Sequence, residues 1–297
     1  MLIHDFETGQ NPSRVVVLGA SGFIGGAIHR TLIKAGYPTL PISRAEVELQ
    51  HAHASDKLAG LLENNDTLVF VAAKAPCRDL PMLVENIQLL RTVCNSIKMK
   101  PVAHVVYISS DAVYKDSPNA LTEISCAEPG SIHGAMHLAR EVALKQEFCG
   151  PLAIVRPTLV YGLDDPHNSY GPNRFRRLAS AGKDIVLFGE GEERRDHVDV
   201  DDVAHLVHLI VKHRSRGVVN AVSGEVVSFR DLAVFASKSF ESNVKVRDSM
   251  RTGLMPHNGY RHFDNSMVAT AFPNFRFKGW REGLSALYLR PRVEGQV

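Results

Sequence analysis

The chain is 297 residues long, 44% hydrophobic and 22% charged, with 34 basic against 32 acidic side chains and a formal net charge of +2. This length and apolar content suit a globular protein with a substantial core and exclude the low-hydrophobicity, high-charge regime of disorder. Balanced charge provides no overall field for nucleic acid or an anionic membrane, so any anionic ligand has to be held locally.

The first residues, MLIHDFETGQNPS, carry acids and no apolar core of a signal peptide. The longest apolar stretches, such as 68–73, are far too short to span a bilayer, so a cytoplasmic protein without membrane or nucleic-acid partners is expected. A β-branched strand at 14–18 opens directly into the glycine turn GASGFIG at 19–25 and a helix over 27–35 that Gly36 ends. A strand at 39–42, a helix at 55–63 and a buried strand at 67–72 follow, then a long helix at 80–97, a strand at 104–109, a helix at 136–146 and a strand at 152–155. This alternation predicts an α/β fold, a Rossmann-type doubly wound parallel sheet covered by helices on both faces.

Beyond Gly162 the rhythm breaks into a stretch rich in Gly, Pro, Asn and Asp at 163–173, a helix and a turn at 188–191; a helix at 200–213 and a strand at 218–222 then return. The expected division is a dinucleotide-binding unit of 12–162 with 196–224 and a smaller, C-terminal substrate-binding region of 163–195 with 225–290. Cys77, Cys94, Cys126 and Cys149 are widely spaced and read as reduced thiols.

In the turn, Gly19, Gly22 and Gly25 allow a sharp bend and close approach to a pyrophosphate, with Ser21, Phe23 and Ile24 between them, while the helix start supplies N–H donors and positive dipole. A dinucleotide is the ligand such a strand–turn–helix suits. At the end of the second strand, Ser43 followed by Arg44 can bond and neutralise a 2′-phosphate, where an acid would bind the ribose of NAD. NADP is therefore expected over NAD, with Glu46 near enough to be a rival acid and Arg44 as a solvated surface charge the plainer alternative.

The segments GASGFIG (19–25), VFVAA (69–73), YISSDAVY (107–114), RPTLVYG (156–162) and FGEGEERRDHVDVDDV (188–203) stand in this order. Through them the chain resembles, over nearly its whole length, the extended short-chain dehydrogenases of the NAD(P)-dependent epimerase/dehydratase family, whose substrates are nucleotide sugars. The resemblance implies Glu48 and Leu49 against the adenine, Ala72, Ala73 and Lys74 along the ribose and phosphates, and Pro157 and Val160 beside the nicotinamide. It places Ser110 at the catalytic hydroxyl. Dehydratases follow this hydroxyl with Asp and Glu; here Asp111 precedes Ala112, which leaves epimerisation or reduction.

The tyrosine and lysine of the family's YxxxK helix are both absent: alignment on Pro129 and Glu141 puts His133 at the tyrosine and His137 at the lysine. A histidine moves protons near neutrality, so His133 is expected as acid/base and His137 as the ribose ligand. Three alternatives stand beside this. The pair is vestigial in a non-catalytic dinucleotide sensor, or it binds metal, though no glutamate follows as in HExxH, or it lines a pocket whose acid/base is Asp111, Tyr114 or Tyr161. On the substrate side the resemblance implies Tyr161, Asn173, Arg174, Phe188, Arg195 and Arg261, the two last as a guanidinium clamp for a diphosphate; the plainer reading of Arg194 and Arg195 is a charged turn. Asp201 and Asp202 read as carboxylates of a helix first turn. Relatives pair helices equivalent to 80–97 and 131–146 across a dimer, so a homodimer is expected.

Overall fold

A computed structural model describes residues 2–240 and 243–289. The chain order is β1 (Ile3–His4), β2 (Arg14–Leu18), α1 (Phe23–Lys34), β3 (Thr39–Ile42), α2 (Ala54–Leu61), β4 (Asp66–Phe70), α3 (Leu80–Met99), β5 (His104–Ile108), α4 (Ile132–Glu147), β6 (Leu152–Pro157) and β7 (Leu159–Tyr161). It continues with α5 (Pro172–Ser180), β8 (Ile185–Val186), β9 (Arg194–Asp199), α6 (Val200–Lys212), β10 (Ser215–Ala221), β11 (Val226–Ser228), α7 (Phe229–Lys238), β12 (Val246–Arg247), β13 (Tyr260–Arg261), α8 (Ser266–Ala271) and α9 (Trp280–Tyr288).

The central strands β4 and β5 are buried at every residue because helices cover both faces of the sheet, and their side chains divide alternately between two cores. Val15, Val17, Val69 and Val106 enter one core with α1 and α6; Val16, Leu18, Leu68, Phe70, Val105 and Tyr107 enter the other with α2, α3 and α4. The sheet order is β1-β10-β6-β5-β4-β2-β3, parallel throughout except for β1, a short edge strand not foreseen from the sequence. After β2 the chain crosses to β3 on one side, and β4, β5 and β6 build the other side. The topological switch therefore falls between β2 and β4, where open α/β sheets bind ligands beyond the strands' carboxyl ends.

A third core joins Phe175, Leu187, Phe229, Leu232 and Leu284 under α5, α7 and α9, and β9 pairs with β7, β11 and β13 in a separate four-stranded sheet. Val268, Phe272, Phe275 and Phe277 pack instead against α1 and α6 in the first core. Within the stretch 225–290, β11, α7 and α9 therefore contribute to the third core and 268–277 to the first; residue 290 lies outside the described residues. Among the described residues no helix is long and apolar enough to cross a membrane.

Candidate functional site

The glycine turn has the geometry that its spacing predicts. Gly19 has φ +100° and a Cβ there would meet Ala72 N at 2.8 Å, so only glycine lets β2 and β4 deliver their ends this closely. A Cβ on Gly25 would stand 2.8 Å from the Gly19 carbonyl carbon and closer still to its oxygen, so the third glycine seats the helix on the turn. Gly22 caps α1 without a side-chain hydrogen bond, and the first turn of α1 contains no acid, which leaves its N–H groups to face an external anion. Ser21 and Gly22 are exposed, Phe23 and Ile24 half-buried. These residues fit a dinucleotide pyrophosphate.

The other expected cofactor residues divide. The Ala72 N–H binds Leu18 O at 2.9 Å and its carbonyl accepts from Arg140 at 2.8 Å, which fixes the crevice wall that half-buried Ala73 continues. Lys74 is held through its backbone by the fully buried Asn86, while its ammonium pairs with Glu85. Pro157 is buried at the end of β6 and Val160 half-buried in β7. Glu48 is exposed, but Leu49 is spent in the second core and its carbonyl accepts from Thr92 at 2.7 Å; this is a correction to its expected place at the adenine. Ser43 is engaged by Glu46, whose carboxylate accepts from the Ser43 N–H at 2.7 Å and its hydroxyl at 2.5 Å; these bonds hold Glu46 below the usual carboxylate range. Arg44 is exposed.

Ser110 stands two residues after β5 as the cap of a short 3-10 turn, Asp111–Val113, its Oγ accepting from Ala112 N at 3.1 Å. The first turn of α4 rests on this turn at Gly134, where a Cβ would lie 2.7 Å from the Ala112 carbonyl carbon. The contact brings His133 into the electrostatic reach of Asp111, and His133 Nδ1 accepts from the Cys77 N–H at 3.3 Å. Burial pushes His133 below the ordinary histidine range, against a smaller opposing pull from Asp111.

His137 packs edge-on to His133 at 4.8 Å, is 5% exposed and bonds Tyr107 Oη through Nδ1 at 2.8 Å. Burial, reinforced by His133 and Arg140, pushes it well below the histidine range. Among the described residues no cluster of three or more His, Cys, Asp or Glu is arranged to hold a metal.

Asp111 does not stand free for acid/base work. Arg261, 2% exposed, donates to Asp111 Oδ2 at 3.0 Å, to its carbonyl at 2.6 Å and to Asp116 at 2.6 Å. Arg195 comes within 3.9 Å of the same carboxylate and binds Glu193 at 3.2 Å. The two arginines therefore converge as expected, but on the chain's own carboxylates. Tyr114 is buried, pushed up to about 12 mainly by that burial, and donates to Asn220 at 2.7 Å. Tyr161 is 1% exposed, its hydroxyl enclosed against Gly283 in the third core. Neither reaches the reacting centre, a correction to both expectations, because β7 and the 111–113 turn direct these rings inward.

Asn173 is a loop tie, accepting from Gly162 N and donating to Asp165, each at 3.0 Å; Arg174 is exposed. Phe188 is exposed on Tyr170, ring centroids 4.5 Å apart. A cavity of about 320 Å³ bounded by Asp116, Ser117, Pro118, His257, Asn258 and Tyr260 opens next to Arg261.

Several partners in this site carried no local signal in the sequence. Asp116 and His257 lie outside every motif segment, and the Cys77 amide comes from a loop 56 residues from His133; Glu193 stands within the 188–203 segment, but its pairing with Arg195 was not foreseen. Arg140, three residues after His137, shares its helix face, and that spacing was a usable clue.

Compared with known proteins, residues 15–223 match the family described as NAD dependent epimerase/dehydratase. A putative GDP-L-fucose synthase 2 of Oryza sativa subsp. japonica is 26% identical over 257 residues, covering 76% of this chain and 72% of that protein. A UDP-glucose 4-epimerase of Mycolicibacterium smegmatis is 30% identical over 221 residues, 64% of this chain and 70% of the relative. The structure of MoeE5 in complex with UDP-glucose and NAD superposes with a TM-score of 0.79 at 22% identity, over 93% of this chain and 97% of that one.

Proposed function

This chain belongs to the NAD dependent epimerase/dehydratase family, and from that membership we propose that it transfers hydride at a carbon of a nucleotide-linked sugar, as an epimerase or ketoreductase. The observation that carries the reading is the meeting, at the carboxyl edge of the parallel strands, of an open glycine turn, the Ser110 turn and the His133 end of α4. When bound, the dinucleotide supplies or takes up the hydride. The α1 N-terminus with Gly19, Ser21 and Gly22 would hold its pyrophosphate, and Ala72, Ala73, Pro157 and Val160 would flank it. Ser110 Oγ and His133 Nε2 would contact the reacting sugar oxygen, and Arg195 and Arg261 would reach the substrate diphosphate by exchanging bonds they now make to Glu193, Asp111 and Asp116. Dehydration is not part of this reading, because Ala112 replaces an acid and Asp111 is committed to Arg261.

For the dinucleotide, Glu46 favours NAD over the NADP expected from Ser43 and Arg44. Its ionised carboxylate already holds both Ser43 donors and would repel a 2′-phosphate there. The same reading includes a homodimer, supported by exposed Leu80, Val84 and Ile87 on α3 and Val142 on α4; sedimentation as a monomer at micromolar concentration would remove it.

The experiment is to follow reduced-nicotinamide absorbance while the protein, loaded with NAD or NADP, meets a panel of nucleotide sugars and their keto forms. Turnover with one member is expected. The opposing reading is a dinucleotide-binding protein without hydride chemistry, favoured by the deep burial of His137. A silent panel, with dinucleotide binding confirmed and no interconversion of sugar epimers by NMR, would establish it instead.

A further inference from the structure

The two histidines, identical in type, are reached on the same ring nitrogen by two different donors. His133 Nδ1 faces the backbone N–H of Cys77 at 3.3 Å. A backbone amide only donates, so Nδ1 of a neutral His133 carries the lone pair and Nε2 carries the hydrogen. His137 Nδ1 faces Tyr107 Oη at 2.8 Å, and either atom of that pair could be the donor. Arg140 decides which it is.

The Arg140 guanidinium is fully buried, 4.4 Å over the Phe70 ring and 5.2 Å over the Tyr107 ring. Among the described residues it donates to Ala72 O at 2.8 Å and Met136 Sδ at 3.8 Å, and its Nε meets no acceptor and the guanidinium no carboxylate. The neighbouring Glu141 is spent on Arg156, at 2.8 and 2.5 Å, and on Ser109 at 2.6 Å. A guanidinium buried without a carboxylate is an expensive feature to keep under a functional helix. Guanidinium groups do not accept hydrogen bonds, so of Arg140 and His137 only His137 Nδ1 can take the single Tyr107 hydroxyl proton.

We propose that His133 and His137 form a pair of neutral Nε2–H hydrogen-bond donors, their tautomers set by the Cys77 amide and by Tyr107 with Arg140 as positioning residues. This rests on the hydride-transfer reading above and replaces the proton-exchanging role expected for His133. In the reductive direction the bound dinucleotide would give up a C–H bond to supply hydride; His133 Nε2–H and Ser110 would then stabilise the charge left on the former carbonyl oxygen until water supplies the proton and leaves as hydroxide. His137 Nε2–H then offers a ribose hydroxyl a neutral donor. The titratable and charged groups facing the pair are Asp111, Cys77, Tyr107 and Arg140, together with each imidazole facing the other.

The first test needs no substrate: long-range ¹H–¹⁵N NMR of the ring nitrogens in the full-length protein at neutral pH, with assignments from His133→Gln and His137→Gln. Both rings are expected as Nε2–H tautomers, and Tyr107→Phe is expected to release His137 into a tautomer mixture while His133 keeps its own. An Nδ1–H tautomer or an imidazolium at either position overturns the proposal, whatever the enzymatic panel finds.

The second test uses the substrate that the panel identifies. His133→Gln keeps an N–H donor but cannot titrate, so it should retain at least about a tenth of kcat, whereas His133→Leu should lose roughly a hundredfold or more. Equal loss in both variants, with a histidine-like limb in the wild-type pH profile, overturns the donor role. Nε2–H tautomers in a protein that turns over no sugar would leave the tautomer assignment standing and remove the hydride-transfer reading alone.

Discussion

Gly25→Ala puts the strongest strain on the cofactor reading. The new Cβ would lie 2.8 Å from the Gly19 carbonyl carbon and nearer its oxygen, both backbone atoms of the turn itself. Ordinary contacts begin near 3.5 Å, so the turn and the α1 N-terminus must part by roughly 1 Å. A charge-assisted hydrogen bond contributes about 1.5–3 kcal/mol, so misaligning two N–H donors toward a pyrophosphate costs about 3–6 kcal/mol. That corresponds to a dinucleotide Kd weakened roughly 10²- to 10⁴-fold. The overpacking itself should cost about 1–3 kcal/mol of folding stability. Nicotinamide fluorescence titration reads the first quantity and urea denaturation the second. Gly60→Ala is the control: it lies inside α2 with nothing within 4 Å of its Cβ, so stability should rise by about 1 kcal/mol with Kd unchanged. A Gly25→Ala protein that unfolds cooperatively yet binds dinucleotide within about threefold of wild type would refute the assignment of the turn.

Glu141→Gln leaves Arg156, 4% exposed, without its counter-charge and should cost about 3–5 kcal/mol by denaturant titration; a loss under about 1 kcal/mol would mean that the Tyr114 ring, 4.7 Å from the guanidinium, suffices for the cation. Glu46→Gln should tighten NADPH relative to NADH by roughly fivefold, the scale of one screened charge repulsion, and an unchanged ratio would remove Glu46 from dinucleotide selection. His104, buried and pushed down to about 4 mainly by that burial, binds a proton less readily folded than unfolded. Its contribution is complete above about pH 6.5 and is lost as pH falls toward 4, near 1.4 kcal/mol per unit. Asp196, pushed up to about 7 chiefly by burial, acts in the opposite sense, favouring the folded state as pH falls from 7. The readout is therefore the difference between proteins: from pH 6.5 to 5 wild type should lose about 2 kcal/mol more than His104→Gln. Parallel stability profiles would contradict the neutral, buried state of His104.

The strand–turn–helix at 14–34, the parallel order of strands and the convergence of Arg195 and Arg261 were legible in the sequence. Glycine spacing, β-branched runs and motif order are local signals that tertiary packing has little freedom to override. Leu49 and Tyr161 were misplaced for the opposite reason: a motif position names a residue but not the side of the strand or loop on which packing buries it. The identity of HxxxH in α4 was plain from the residues, but its chemistry depends on a Cys77 amide from another loop, a Tyr107 hydroxyl from β5 and a buried guanidinium at Arg140 that meets no carboxylate among the described residues. Likewise, the presence of Asp111 before Ala112 could be read directly, but its capture by Arg261 could not, since 150 residues separate the partners. Sequence by itself determined which elements form and which ligand class the turn can hold, because those follow from backbone geometry over a few residues. Only tertiary structure decided which ring nitrogen carries a hydrogen and which carboxylate is free, because those states are set by desolvation and by partners brought together from distant parts of the chain.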